Sequence, residues 1–186
     1  RESWLHRHLP VSTFEKLTPL FPKTDLIFLQ GWGEPLISPH FFYMVEIAKK
    51  AGVKVGTTTN GTLINEETAA RLVEAQVDIL AFSLAGATSL NDRFRKGAEI
   101  EKVMEAVELV GRAKQKSGRS SPDIHIAYLL LRSGLDDLRA LPTLLSGGCV
   151  SQVVISTLDF VPDEKLKQET ITPLTKAEFS EIKELI

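Results

Sequence analysis

The chain has 186 residues, a hydrophobic content of 43%, a charged content of 25% and a formal net charge of −2, all typical of a globular protein. It lacks the basic excess that nucleic-acid binding needs, and its apolar runs stay well short of the ~18 residues of a membrane span. The single cysteine, Cys149, excludes an internal disulfide and favours a reducing compartment. We therefore expect a cytoplasmic protein without nucleic-acid or membrane partners.

A first strand is predicted at residues 26–29, where Leu26 and Leu29 bound four consecutive apolar residues that indicate burial on both faces. The strand runs into Gly-Trp-Gly-Glu-Pro at residues 31–35. Glycines can adopt φ > 0 and have no Cβ, so a ligand can approach the backbone beside the carboxylate of Glu34. This stretch is a candidate cradle for the amine of a small zwitterion. A tight strand-to-helix connection is the alternative interpretation.

Strands and helices then alternate along the chain. Further strands are predicted at residues 53–58, 78–84, 124–131 and 150–157, and helices at 38–50, from 65 onwards, at 99–116, at 134–145 and from 174 onwards, with an irregular segment at 159–173. Such βα repeats with nearly continuous apolar strands predict an α/β fold with a parallel sheet and right-handed crossovers. An open doubly wound sheet and part of a (βα) barrel both fit. Both architectures place ligands at the carboxyl ends of the strands.

Polar groups follow the predicted strands at those ends. They are residues 31–34, Thr59, Asn60, Ser83, Arg132 and Asp159, together with Asp92, Arg93 and Arg95 in the segment after the third strand. The set suits the binding of a charged small molecule, but it offers no Ser-His-Asp arrangement, Walker loop or Gly-x-Gly-x-x-Gly motif. We interpret His40, His125 and Cys149 as ordinary packed or surface residues. A site that binds without a reactive side chain predicts a cofactor that supplies the reactivity.

These motifs, in this order, resemble those of radical S-adenosylmethionine (SAM) enzymes. Residues 31–35 are similar to the Gly-Gly-Glu-Pro motif after that family's second strand, and residues 59–64 look like its third-strand turn. Ser83 followed by Asp92, Arg95 and Gly97 resembles the fourth-strand segment. Residues 131–133 and 161–162 are similar to the subgroup with C-terminal auxiliary iron–sulfur domains. The likeness extends from about residue 12 to residue 186.

The resemblance implies strands 2 to 6 of a (βα)6 partial TIM-type barrel, with residues 1–186 as a single truncated domain. It implies reductive cleavage of SAM by a 4Fe–4S cluster fed by a one-electron reductant. The resulting deoxyadenosyl radical would abstract hydrogen from a small-molecule or peptide substrate. Residues 31–34 would hold the SAM amino group, with Ser83 and either Arg95 or Arg132 near its carboxylate and ribose. The full implied SAM-binding set is Gly31, Trp32, Gly33, Glu34, Asn60, Ser83, Arg95 and Arg132.

Two departures from the family pattern shape further expectations. Trp32 stands where the family has a small residue, and we expect it to fill part of the pocket. The family's Cys-x3-Cys-x2-Cys loop is absent, and one cysteine cannot supply the three thiolates that the cluster needs. We therefore expect the first strand and the cluster loop to lie upstream of Arg1, the last helix to be cut, and the chain as given to be inactive. Without a first strand, the apolar edge from Leu26 to Leu29 is expected to self-associate.

Two other functions fit the same residues. A conventional α/β enzyme of aldolase or isomerase type would use Glu34 as its acid–base group and would be active without iron. A non-catalytic barrel that only binds a ligand or partner would lack the cluster cysteines in its natural gene as well. The substrate cannot be inferred from these motifs, because it depends on the residues that line the barrel.

Overall fold

The structure, a computed structural model, describes residues 7–158, 161, 163–171 and 175–185. Five strands form one sheet in which all neighbours are parallel and the spatial order follows the chain. They are β1 (Leu26–Phe28), β2 (Lys54–Thr59), β3 (Ile79–Leu84), β4 (Asp123–Leu129) and β5 (Gln152–Ser156). The described α-helices are α1 (Val11–Glu15), α2 (Phe41–Lys50), α3 (Glu66–Glu74), α4 (Leu90–Phe94), α5 (Ile100–Ser117), α6 (Leu141–Leu144), α7 (Glu164–Lys167) and α8 (Lys176–Leu185).

The strand order distinguishes the two architectures that the sequence leaves open. A doubly wound sheet reverses its strand order at a switch point, whereas consecutive βα units in a barrel add each strand beside the preceding one. Here the order runs from β1 to β5 without reversal. The predicted α/β fold with a parallel βα repeat is therefore confirmed, and its winding is that of a barrel.

The two faces of the sheet differ in what covers them. One face packs against the helices and supplies buried core residues, among them Leu80, Phe82, Ile124 and Ile126. The alternate residues form the second face, which we call the open face. Its members in β2 to β5 include Gly56, Thr58, Ala81, Ser83, His125, Ala127, Leu129, Gln152, Val154 and Ser156. Val154 on this face is 48% exposed.

Strand β1 corrects one expectation. Leu26 and Phe28 lie on the open face and are 36% and 44% exposed, so the prediction of burial on both faces is wrong for them. Within the predicted run 26–29, Ile27 and Leu29 pack against the core. Within the described residues β1 pairs with β2 alone, so its other edge is free, and self-association through that edge stays a prediction.

The segment after β4 also differs from the sequence prediction. In place of one helix at 134–145, two 3₁₀ turns, Arg132–Gly134 and Asp136–Ala140, precede the four-residue α6. Pro142 contributes to the break because it lacks an N–H for a helical hydrogen bond. The predicted irregular segment at 159–173 contains the short α7, while Asp159 lies outside the described residues. Among the residues that the structure describes, no helix combines the length and apolarity that crossing a bilayer requires.

Helices α2 and α3 end in the same hydrogen-bonded motif with different residues at its left-handed position. Gly52 donates to the carbonyl three residues back and Val53 to the carbonyl five residues back, both at 3.0 Å; Gln76 and Val77 repeat this pattern at 3.1 and 3.3 Å. The left-handed residue is Gly52 (φ +78°) after α2 but Gln76 (φ +58°) after α3. This position favours glycine, because a Cβ is crowded there.

We expect Gln76→Gly to raise the free energy of unfolding by roughly 0.5 to 1 kcal/mol, because relief of the left-handed strain outweighs the extra flexibility of unfolded glycine. Urea denaturation measures the change. Gly52→Gln is the matched control and should lower stability by a similar amount. A stability loss on Gln76→Gly would show that the glutamine side chain contributes more than its backbone strain costs.

Candidate functional site

Glu34 joins the loop after β1 to the end of β2. Its Oε2 accepts a hydrogen bond from the backbone N–H of Asn60 at 2.7 Å. Its Oε1 accepts one from the hydroxyl of buried Thr59 at 2.8 Å and one from the N–H of Leu36 at 3.3 Å. A carboxylate has about four acceptor positions, so these three bonds fix the side chain and leave one position for a ligand.

The two glycines before Glu34 leave open space beside their backbone. A Cβ built on Gly31 or Gly33 would meet no atom within 4 Å, and neither glycine has a positive φ. Neither strain nor crowding within the described protein therefore requires glycine at these positions. A group bound against the backbone would require it, because it would occupy the space that a side chain takes.

Trp32 lies between these glycines and is 93% exposed. Its side chain projects from the loop instead of occupying the space beside it, which differs from the expectation that it fills part of the pocket.

Asn60 and Gly61 form a tight turn at the end of β2. The Oδ1 of Asn60 accepts from the backbone N–H of Thr62 at 2.9 Å and from its hydroxyl at 2.7 Å, as in an Asx turn. Gly61 has φ +79°, and a Cβ there would lie 3.4 Å from the ring of Phe82. The turn thus needs glycine for its own conformation, and it presents the Asn60 N–H rigidly to Glu34.

The segment between β3 and α5 is closed by two side chains. Asn91 is fully buried; its Oδ1 accepts from the N–H of Ala85 at 3.0 Å and its Nδ2 donates to the carbonyl of Ala98 at 2.7 Å. The Oδ1 of Asp92 accepts from the N–H of Ile100 at 2.7 Å, at the start of α5, where the helix dipole favours a negative charge. These bonds hold the loop that carries Arg95.

Arg95 has a donor in the protein interior that no described residue accepts. Its Nε is buried and makes no hydrogen bond within the described part of the chain. Burial lowers the pKa of Arg95, because removal from water disfavours the charged guanidinium. An unsatisfied buried donor costs about 1–3 kcal/mol, and a ligand carboxylate would satisfy it through a charge-assisted hydrogen bond.

The remaining predicted site residues differ in how they are engaged. Ser83 lies on the open face in register with Ala127, and its hydroxyl makes no hydrogen bond to a described residue. Arg132 is exposed, and its Nε donates to the carbonyl of Thr170 at 3.1 Å while its backbone N–H donates to the carbonyl of Glu169 at 3.0 Å. Of the two candidate arginines, Arg95 is therefore the one whose Nε has no acceptor among the described residues.

Residues 4–133 match the sequence model of the family described as Radical SAM superfamily. The chain belongs to the radical SAM superfamily. This is the family that the sequence motifs resemble.

Two curated relatives show how much of a radical SAM protein this chain covers. The tungsten-containing aldehyde ferredoxin oxidoreductase cofactor-modifying protein of Pyrococcus furiosus is 28% identical over 146 residues, which are 77% of this chain and 41% of that protein. The mycofactocin maturase MftC of Mycobacterium ulcerans is 34% identical over 115 residues, which are 60% of this chain and 30% of that protein. The chain thus spans less than half the length of these relatives.

A solved structure shares the fold. The structure described as native anSMEcpe with bound AdoMet and Cp18Cys peptide superposes with a TM-score of 0.71 at 19% identity, covering 95% of this chain and 50% of that one. AdoMet is SAM. At this identity the likeness is one of fold alone.

The residues present fit SAM but not the iron–sulfur cluster of a radical SAM enzyme. Open backbone at Gly31 and Gly33 and the unsatisfied donor of Arg95 suit an amino acid headgroup. Among the described residues, no group of three His, Cys, Asp or Glu side chains could hold a metal ion. Cys149 precedes β5, at the opposite end of the sheet, where its Sγ would lie 2.7 Å from a Cβ on Gly111. Its thiol is packed against helix α5, as expected for an ordinary packed residue.

Asp137 and the structural role of Asn91 were not predicted from the sequence. Asp137 accepts from the N–H of Ala87 and the hydroxyl of Thr88, and the Tyr128 hydroxyl lies 3.5 Å from its Oδ2. Burial raises the pKa of Tyr128, and the negative charge of Asp137 raises it further, so the phenol stays neutral. Asp137 thereby ties the loop after β3 to the segment after β4. The available signal was a carboxylate close behind a predicted strand end.

Proposed function

We propose that this chain is the SAM-binding part of a radical SAM enzyme that acts on a peptide. The observation that carries the proposal is the open space at Gly31 and Gly33, where neither backbone strain nor crowding accounts for glycine. Superfamily membership supports the SAM assignment. The peptide assignment is supported by the structural relative that holds both AdoMet and the Cp18Cys peptide. A small-molecule substrate remains the second candidate.

The proposed binding mode uses groups at the carboxyl ends of the strands. Carbonyl groups of residues 31–33 and the remaining lone pair of Glu34 accept from the ammonium group of SAM, while the buried Nε of Arg95 donates to its carboxylate. The Ser83 hydroxyl and the side chain of Asn60 face the ribose. Arg132 contributes from the next strand end.

Bound SAM supplies the chemistry, as the source of the 5′-deoxyadenosyl group that removes a hydrogen atom from the substrate. The protein's part is to orient the headgroup and to keep its charges paired. The electron for SAM cleavage belongs to a 4Fe–4S cluster, for which these residues offer one thiol and hence no site. We propose that the cluster cysteines lie outside these 186 residues, in a protein kept in the reducing cytoplasm.

Glu34 as the acid–base group of a conventional enzyme is the weaker alternative. Three of its acceptor positions are taken by protein donors, which hold the carboxylate in a structural role, and the one position left is the acceptor that the ammonium group of SAM would use.

We expect Gly33→Ala to weaken SAM binding about tenfold, because its Cβ takes ligand space, while changing stability by no more than about 0.5 kcal/mol. Arg95→Gln should weaken binding by about ten- to a hundredfold through loss of a charge-assisted bond. Anaerobic equilibrium dialysis with labelled SAM and urea denaturation measure the two quantities.

Gly147→Ala is the matched control for this test. Gly147 also has no atom within 4 Å of its Cβ position and no positive φ, but it precedes β5 at the far end of the sheet. Gly147→Ala should change neither SAM affinity nor the free energy of unfolding. Unaltered SAM affinity in Gly33→Ala would refute the proposed cradle. Protein from the complete gene, prepared without oxygen, should contain at least about four iron atoms per chain. An iron-free protein would refute radical chemistry.

A further inference from the structure

A row of polar side chains crosses the open face one layer below Ser83. Thr58, Ala81, His125 and Gln152 are in register on β2, β3, β4 and β5. Neighbouring strands lie about 4.8 Å apart, so the row spans roughly 14 Å across the sheet. Alanine separates Thr58 from His125, which leaves a gap above a small residue.

These polar side chains have no partners in the described protein. The side chains of Thr58, His125 and Gln152 make no hydrogen bond to any residue that the structure describes. The other face of β2 behaves differently: the hydroxyl of Thr57 donates to the carbonyl of Leu29 at 2.6 Å, and that of Thr59 donates to Glu34 at 2.8 Å. Polar groups on the helix-covered face are thus paired internally, whereas those on the open face are available to a ligand.

Towards the carboxyl ends of the strands, the surroundings of the row are uncharged and partly apolar. The next layers towards the carboxyl ends hold Ser83, Ala127 and Val154, followed by Leu129 and Ser156. The charged members of this face, Asp123 and Lys54, lie one and two layers towards the amino ends. On the β1 side, the ring of Phe28 lies over Gly56, so close that a Cβ there would be 2.7 Å from it.

We infer that this row binds a neutral amide of the substrate, with an adjacent apolar side chain against Phe28, and that His125 determines this specificity. The inference rests on the proposed function and narrows its substrate to an uncharged peptide segment. Histidine, glutamine and threonine side chains can each offer a donor and an acceptor, which matches the N–H and C=O of a peptide group. A charged group would lose its hydration with no opposite charge in the row to compensate.

The test uses the whole chain and a capped amino acid as probe. N-acetyl-leucine N-methylamide is titrated against the protein and followed by NMR of the His125 imidazole, with N-acetyl-leucine and leucine amide as charged analogues. The capped probe should bind at least about fivefold more tightly than either analogue, because the row offers no counter-charge. His125→Ala should weaken its binding about tenfold, and His125→Gln should restore most of the affinity by keeping a donor and an acceptor.

Two controls make the outcome decisive. His8→Ala changes an exposed histidine and should leave probe binding unaltered. Gln152→Ala changes an exposed side chain of the row, so it tests the site even if His125→Ala folds poorly. Equal affinity for charged and capped probes, or an unaffected His125→Ala, would overturn the inference. SAM binding is measured on the same samples to separate this inference from the proposed function. If only the substrate site is misassigned, SAM binding should persist in His125→Ala.

Discussion

Gly86→Ala is expected to lower the free energy of unfolding by about 3 kcal/mol, because the surrounding atoms leave no space for the added methyl group. A Cβ on Gly86 would lie 2.6 Å from the backbone nitrogen of Asn91 and 3.1 Å from both the carbonyl carbon of Leu90 and the Oδ2 of Asp137. Two of these atoms are backbone and cannot rotate away. The loop after β3 would therefore have to shift, and with it the hydrogen bonds that Asp137 accepts from Ala87 and Thr88.

Gly56→Ala is the matched control, because its nominal overlap is similar but falls on a different kind of atom. A Cβ on Gly56 would lie 2.7 Å from the ring of Phe28, a side chain that is 44% exposed and can rotate outwards. We expect a loss of about 1 kcal/mol or less for this variant. Urea denaturation followed by circular dichroism measures both. Equal losses would mean that the loop after β3 yields as easily as a surface side chain, which would contradict its role as a rigid support for the site.

The sequence predicts the framework of this domain because the framework depends on local patterns. Nearly continuous apolar runs predict five strands, and the alternation with helices predicts parallel pairing, so the carboxyl-edge location of Glu34, Asn60 and Ser83 follows from topology alone. The direct contact between Glu34 and Asn60 agrees with that reasoning. The strand order from β1 to β5 is not encoded in any local pattern, and only the structure distinguishes barrel winding from double winding.

The features that were not predicted depend on which faces of a strand are covered by other elements and on contacts between residues far apart in the chain. The apolar run at 26–29 is the same whether one or two faces are covered, so it cannot show that Leu26 and Phe28 are exposed. Asp137 accepts from Ala87, 50 residues away in the chain, and no spacing rule connects them. Gly31 and Gly33 could adopt positive φ, yet neither does so. These glycines indicate a ligand because the space beside their backbone is open, which only the structure shows.

Asn91→Ala is expected to destabilise the protein by about 2 to 4 kcal/mol and, under the proposed function, to weaken SAM binding by up to about a hundredfold, as Arg95→Gln does. Removal of the buried amide leaves the N–H of Ala85 and the carbonyl of Ala98 without their partners, and each unsatisfied buried group costs about 1–3 kcal/mol. The same bonds close the loop that carries Arg95, so its guanidinium should lose its fixed position. Urea denaturation and equilibrium dialysis with SAM measure the two effects.

Asn65→Ala provides the comparison that separates these effects from a general intolerance of asparagine substitution. Asn65 is exposed, and its Oδ1 accepts one hydrogen bond, from the N–H of Thr68 at 2.8 Å, as the N-cap of α3. Loss of such a cap costs about 1 kcal/mol and should leave SAM affinity unaltered. If Asn91→Ala proves no more destabilising than Asn65→Ala, the loop between β3 and α5 is not held by its buried amide. If Asn91→Ala is strongly destabilised yet binds SAM normally, Arg95 is not positioned by this loop for the carboxylate, and Arg132 becomes the better candidate for that contact.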